Sequence, residues 1–176
     1  MNPTLWQQVA STVAAEFSDL TDPVQTTRVV VRLLMAAVLG GLLGWEREHK
    51  GQPAGVRTHM LVAMGAALFV VASGQIGMEQ EDMSRVIQGI TAGVGFLCAG
   101  TILKSDKQGD VKGLTTAAGL WLTAAMGVAV GLGRELTAVL ATVLALGILS
   151  LMPVVVRMVE KPTRLLTSAE EADKKN

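Results

Sequence analysis

The sequence predicts an all-α membrane protein, with five transmembrane helices and an N-terminal interfacial amphipathic helix. Three observations carry that expectation. Five stretches contain no charged residue: Leu33 to Trp45, Thr58 to Met78, Val86 to Leu103, Gly113 to Gly133 and Leu136 to Val156. A hydrocarbon core about 30 Å thick takes roughly 17 to 25 apolar residues of helix to cross, and four of the five stretches meet that length unaided. Half of the 176 residues are hydrophobic and only 17% are charged, and the basic residues cluster in alternate loops.

The expected organisation is an interfacial segment over 1–27, a membrane domain over 28–157 and a short cytoplasmic tail over 158–176. Approximate spans are 29–45, 58–78, 86–103, 113–133 and 136–156. The first reaches spanning length by including Val29 to Val31, with Arg32 extending its guanidinium to the headgroups along its apolar stem. So little chain remains outside the spans that no separate soluble catalytic domain fits. The net charge is zero and says nothing useful about partners, and no nucleic-acid partner is expected. Cys98 is the lone cysteine, lies mid-span and says nothing about redox compartment.

Positive loops stay cytoplasmic during insertion. Arg47, Lys50 and Arg57 fall in the first loop, Lys104, Lys107 and Lys112 in the third, and Arg157, Lys161, Arg164, Lys174 and Lys175 in the tail. The other side carries Arg28, Arg32, Arg85 and Arg134, with acidic Glu79, Glu81 and Asp82 in the second loop. Five crossings then place the N-terminus in the periplasm and the C-terminus in the cytoplasm.

The residues before Val29 lack the basic start, continuous apolar core and cleavage site of a signal peptide. Trp6, Val9, Ala10, Val13, Ala14, Phe17 and Leu20 recur at helical spacing, the pattern of a helix lying in the membrane interface. Asp22-Pro23 separates it from the first span.

Lipid tails are as apolar as leucine, so helices associate in a bilayer through close backbone packing at small residues. Gly40 and Gly44, Gly89 and Gly93, and Gly127 and Gly131 each have that spacing, and Ala36 and Gly100 extend two of the faces. The expectation is a tight group of the first, third and fourth spans, with the fifth more peripheral. Such glycine faces are also compatible with a homodimer.

Two apparent motifs carry no function. Gly93, Gly95 and Gly100 have the wrong spacing for a dinucleotide fingerprint and no preceding strand. Asp106 and Asp110 flank Gly109 but offer too few oxygen ligands for a calcium loop. His49 and His59 have no His-Glu-x-x-His arrangement and read as solvated interfacial residues, so no metal or cofactor site is expected.

Polar candidates collect at the cytoplasmic face. Glu46 stands at the inner end of the first span, where burial is costly unless a cation neutralises it; Arg47, Arg57 or Lys112 can supply one. One reading is a charge network in which Glu46 and Arg57 join the first internal loop to the third, near Thr115 and Thr116. The other is a solvated helix end whose cations serve orientation alone.

Three segments carry a resemblance. The first loop reads Trp45-Glu46-Arg47-Glu48-His49-Lys50-Gly51-Gln52-Pro53-Ala54-Gly55-Val56-Arg57-Thr58-His59, and the third span ends Gly93-Val94-Gly95-Phe96-Leu97-Cys98-Ala99-Gly100-Thr101-Ile102-Leu103. The fourth span opens Val111-Lys112-Gly113-Leu114-Thr115-Thr116-Ala117-Ala118-Gly119-Leu120-Trp121. In order and separation these resemble the signatures of the MgtC/SapB family of bacterial inner-membrane proteins, from Arg32 to about Gly133. The resemblance implies a multi-pass inner-membrane protein associated with low-magnesium adaptation and, in some pathogens, virulence. It implies a regulator more than a pump, and an interaction with the F-type ATP synthase has been proposed within the family. The sequence ends soon after the fifth span, so a role of the longer members' soluble C-terminal domain is not expected here. Cys98 stands where many members have a small residue.

The residues bear separately on magnesium. Magnesium is held by carboxylates and keeps several waters, yet no charge-free stretch contains Asp or Glu. Gln88, Thr91, Thr101, Thr115, Thr116 and Thr123 are their main polar groups. The first expectation is therefore a non-enzymatic membrane regulator that binds other membrane proteins. A small oligomeric transporter or channel is the alternative. An intramembrane enzyme comes third, for want of a nucleophile or base at membrane depth.

Overall fold

The computed structural model describes residues 4–18, 22–104 and 111–152. The loop with Asp106, Lys107 and Asp110, and the chain from Pro153 onward with the basic tail, lie outside the described residues. The described residues form six helices: α1 (Leu5–Glu16), α2 (Pro23–His49), α3 (Val56–Gln75), α4 (Gln80–Thr101), α5 (Leu114–Gly131) and α6 (Glu135–Met152). Between α4 and α5, β1 (Leu103–Lys104) and β2 (Val111–Lys112) pair antiparallel over two residues each.

The helix starts follow from local chemistry. At α1 a capping box closes: Gln7 N donates to Thr4 Oγ1 while Thr4 N donates to Gln7 Oε1. Asp22 caps α2, its carboxylate accepting from Val24 N at 3.1 Å and Gln25 N at 3.3 Å, and Pro23 occupies the first turn, where no N–H is needed.

Four helices, α2, α3, α5 and α6, are long and apolar enough to cross a membrane. The remaining charge-free stretch, Val86 to Leu103, is helical as far as Thr101, but α4 includes Glu81, Asp82 and Arg85 in its opening turns.

At the centre of the bundle α3 lies between α2 and α5. A Cβ added at Gly40 would come 2.6 Å from the His59 carbonyl oxygen and 2.9 Å from Ala63 Cβ, and one at Gly44 would come 2.6 Å from Val56 Cα. From the other side a Cβ at Gly127 would collide with the Ala63 carbonyl, and one at Gly131 would come 2.8 Å from that of Ala67. Ala36, Leu39, Ala63, Ala67, Val130 and Ala138 pack around this contact. Leu43, Met126 and Ala145 join α2, α5 and α6, while Ala66, Val94 and Ala124 bring α4 against α3 and α5.

This corrects the expected inner group. The glycine faces of the first and fourth spans pack, but against the second span, because Ala63 and Ala67 give α3 the small surface that glycine spacing alone does not reveal. Gly89, Gly93 and Gly100 of α4 face open space, with nothing within 4 Å of an added Cβ. α6 is the least enclosed of the four apolar helices, with 17% of its apolar window buried against 50% in α5.

Gly127→Leu is therefore expected to lower stability in detergent by at least ~1–3 kcal/mol, the scale of overpacking, while Gly93→Leu leaves it near wild type. Unfolding curves of the two purified variants check this, and equal loss in both would remove the α3–α5 contact from its central place.

Candidate polar site at the α2–α3–α5 end

The end of the bundle that carries Glu46 is built by the last turns of α2, the loop to α3, the start of α5 and one carbonyl of α6. Gly51, at φ +65°, lets the chain turn off α2, and Gln52 N then donates to the Arg47 carbonyl at 3.1 Å. The start of α3 has only Gly55 as cap and no side-chain bond of its own. Glu48 supplies it from across the turn, Oε2 accepting from Val56 N at 2.8 Å. A carboxylate at that position also meets the positive end of the α3 dipole.

Glu46 sits beneath this turn with its side chain 12% exposed. Arg47, itself buried, brings Nε to 3.6 Å from Glu46 Oε2, and Lys50 Nζ contacts Oε1 one turn on. Neither contact is a hydrogen bond, so charge rather than directed bonding holds the carboxylate. Lys50 Nζ also donates to the Leu149 carbonyl at 2.5 Å, tying the cluster to α6.

His59 is fully buried. Its Nδ1 bonds the Gly55 carbonyl at 2.9 Å, which makes Nδ1 the donor and leaves Nε2 as an acceptor. Nε2 faces Gly119 of α5, 3.7 Å from the place a Cβ would take there, and has no hydrogen-bond partner among the described residues.

The first loop reaches α5 through one bond: Thr116 Oγ1 donates to Gln52 Oε1 at 3.2 Å. The start of α5 is held against α4. Gly113, at φ +93°, has no room for a Cβ beside the Thr101 carbonyl, and Cys98 Sγ donates to the Ala117 carbonyl at 3.1 Å.

The structure thus brings together Glu46, Arg47 and Thr116 of the candidates the sequence named. Arg57, Lys112 and Thr115 are exposed, and among the described residues Glu46 pairs with Arg47 and Lys50 rather than with Arg57 or Lys112. His59 corrects the expectation of a solvated interfacial histidine: the glycine face of α2 draws its backbone into contact and buries the ring. Glu48, Lys50 and Gln52 were missed as linking groups, because their partners lie across a turn or on another helix. The alternation of charge around Gly51 was the available signal.

Residues 33–158 match the model of the MgtC family. SrpB of Synechococcus elongatus is 47% identical over 113 residues, covering 58% of this chain and 62% of that protein. YhiD of Escherichia coli, named as a candidate magnesium transporter, is 37% identical over 134 residues, covering 70% of this chain and 60% of its own. MgtC of Brucella abortus is 43% identical over 125 residues, covering 71% of this chain and 51% of its own. The chain thus matches only about half to three-fifths of these relatives' length. No solved structure matches.

A double-mutant cycle over Gln52→Ala and Thr116→Val is expected to give a coupling energy of ~1 kcal/mol, the net value of a hydrogen bond between neutral partners. Measured by unfolding in detergent, additive losses would show that the loop and α5 are not joined there.

Proposed function

Because the chain belongs to the MgtC family, a membrane family linked to magnesium, we propose that it works as a non-enzymatic regulator in the bacterial inner membrane. In this reading it supports adaptation to low magnesium by binding other membrane proteins. The F-type ATP synthase is one candidate partner, named by family resemblance alone.

The observation that carries this reading is the state of Glu46. It is a carboxylate at the border of the membrane domain, and two cations already neutralise it. Magnesium binds hard oxygen ligands and gives up water reluctantly, so a carboxylate committed to Arg47 and Lys50 makes a poor step in an ion path. The buried hydroxyls of α5 are committed too. Thr116 bonds Gln52, and Thr123 bonds the Gly119 carbonyl of its own helix at 2.8 Å.

The membrane placement belongs to the same proposal. Val94 and Ile90 of α4 pack level with Ala66 and Ala124 in the middle of α3 and α5, which supports α4 as the remaining crossing. Along α1, Leu5, Trp6, Val9, Val13 and Phe17 are all exposed, as suits a helix lying in the interface. With the Arg47–Arg57 loop inside, five crossings put the N-terminus in the periplasm and the C-terminus in the cytoplasm.

The alternative, a small oligomeric transporter, draws on the name given to YhiD. Vesicles containing the purified chain and a magnesium-sensitive dye discriminate the two, since a regulator gives no flux above empty vesicles and a transporter does. In a host that needs the protein for growth in low magnesium, Glu46→Gln is expected to reduce both growth and folded abundance. Normal values of both would take the Glu46 cluster out of the function.

A further inference from the structure

The far end of the bundle from Glu46 holds a second polar feature. A cleft of about 370 Å³ opens between the first turns of α2 and the last turns of α3 and α5, with Asp22, Arg28 and Arg32 on its polar side and Val70, Val71 and Leu132 on its apolar side. Most of its charges are already engaged. Arg32 Nη1 donates to the Gly131 carbonyl at 2.9 Å and Nε lies 3.8 Å from Glu135 Oε1, while Asp22 caps α2. Arg28, one turn before Arg32 on the same helix, has no ion pair or hydrogen bond among the described residues.

Depth follows from helix length. α2 has 27 residues, about 40 Å at 1.5 Å per residue, against a hydrocarbon core of about 30 Å. The excess projects at its ends and places Asp22 among the lipid headgroups, while Arg28, deeper on the helix, reaches that layer along its long apolar stem. A guanidinium there meets phosphate in a planar geometry suited to two hydrogen bonds.

We propose that this cleft seats the phosphodiester of a membrane phospholipid, with Arg28 pairing with the phosphate and the Val70–Val71–Leu132 side receiving the glycerol end of the acyl chains. One monoanionic phosphodiester answers the one guanidinium in the lining of this cleft that has no partner among the described residues. The inference rests on α2 crossing the bilayer and is independent of what the Glu46 end binds.

The full-length chain, purified in neutral detergent, is titrated with phosphatidylglycerol, with phosphatidylethanolamine and separately with inorganic phosphate. Lipid adducts are read by native mass spectrometry and stability by the unfolding midpoint. Wild type is expected to retain one lipid and to rise in midpoint. Arg28→Gln is expected to bind about tenfold more weakly, the scale of one charge-assisted bond. Arg134→Gln, exposed beyond the lining of the cleft, keeps the lipid. Arg28 is exposed, and an unchanged midpoint of Arg28→Gln without lipid confirms that the variant folds; should it not fold, Arg28→Lys must show weakened retention. Equal lipid retention in wild type and the Arg28 variant, or equal loss in Arg134→Gln, overturns the proposal. A midpoint shift with inorganic phosphate as large as with lipid assigns the site to free phosphate and overturns the lipid.

Discussion

The structure depends on one close approach, that of Ala63 on α3 to Gly40 on one side and Gly127 on the other. In a bilayer no hydrophobic force drives one apolar helix onto another, so cohesion comes from backbone surfaces brought near enough for dense dispersion contact. α3 meets that requirement twice, which makes it the axis of the bundle although it is the helix with no glycine in the contact itself. What lies one turn toward the loop is then determined. Gly40 and Gly44 press on the backbone of His59 and Val56, and His59 is carried inside with its ring toward Gly119. The polar cluster is a consequence of the helix contact, since α2 and α3 must be this close for Glu48 to reach Val56 N.

Electrostatics then decides what such a cluster can do. Glu46 and Glu48 together offset Arg47 and Lys50, so the turn carries no formal net charge, and the burial of Glu46 and Arg47 strengthens the interaction between them. A buried ion pair adds little net stability once desolvation is counted, but removing one partner leaves a costly bare charge. Its structural effect is therefore to position. Through Lys50 it registers the end of α2 against Leu149 of α6, while Gln52 registers the same turn against Thr116 of α5. Three helices are referred to one turn of five residues by side chains, with the main chain of Gly51 setting the direction.

Much of this was legible in the residues. Charge-free stretches became largely helical and Gly40, Gly44, Gly127 and Gly131 did mark contact faces, whereas Asp22-Pro23, expected to end the interfacial helix, caps and opens α2, α1 having ended at Glu16. The opposing surface was not legible, because periodicity identifies a face of one helix and carries no information about which helix meets it. Alanine at 63 and 67 performs the role that glycine performs elsewhere, and in an alanine-rich apolar run it is inconspicuous. The same limit explains the site. Glu46 was found from its own position at a membrane border, whereas Glu48, Lys50 and Gln52 acquire a role only through Val56, Leu149 and Thr116. Arg57 looks equivalent to Lys50 in sequence, yet it lies on the exposed side of α3.

The two sides of the bundle consequently differ in how firmly they are held. α2, α3 and α5 are locked by backbone contacts that no side-chain rearrangement can loosen. α4 joins them through Val94, Ile90 and the Cys98–Ala117 bond, and its glycines touch nothing. Between α3 and α4 a wide apolar groove runs past Gly65, Gly89 and Gly93. A helix pressed into that side displaces lipid and engages small residues without undoing the Ala63 contact, whereas the same helix inserted between α2 and α3 would have to break it. The α2–α3–α5 frame is thus held by backbone contacts, whereas α4 is held through side chains and leaves its glycine face uncovered among the described residues.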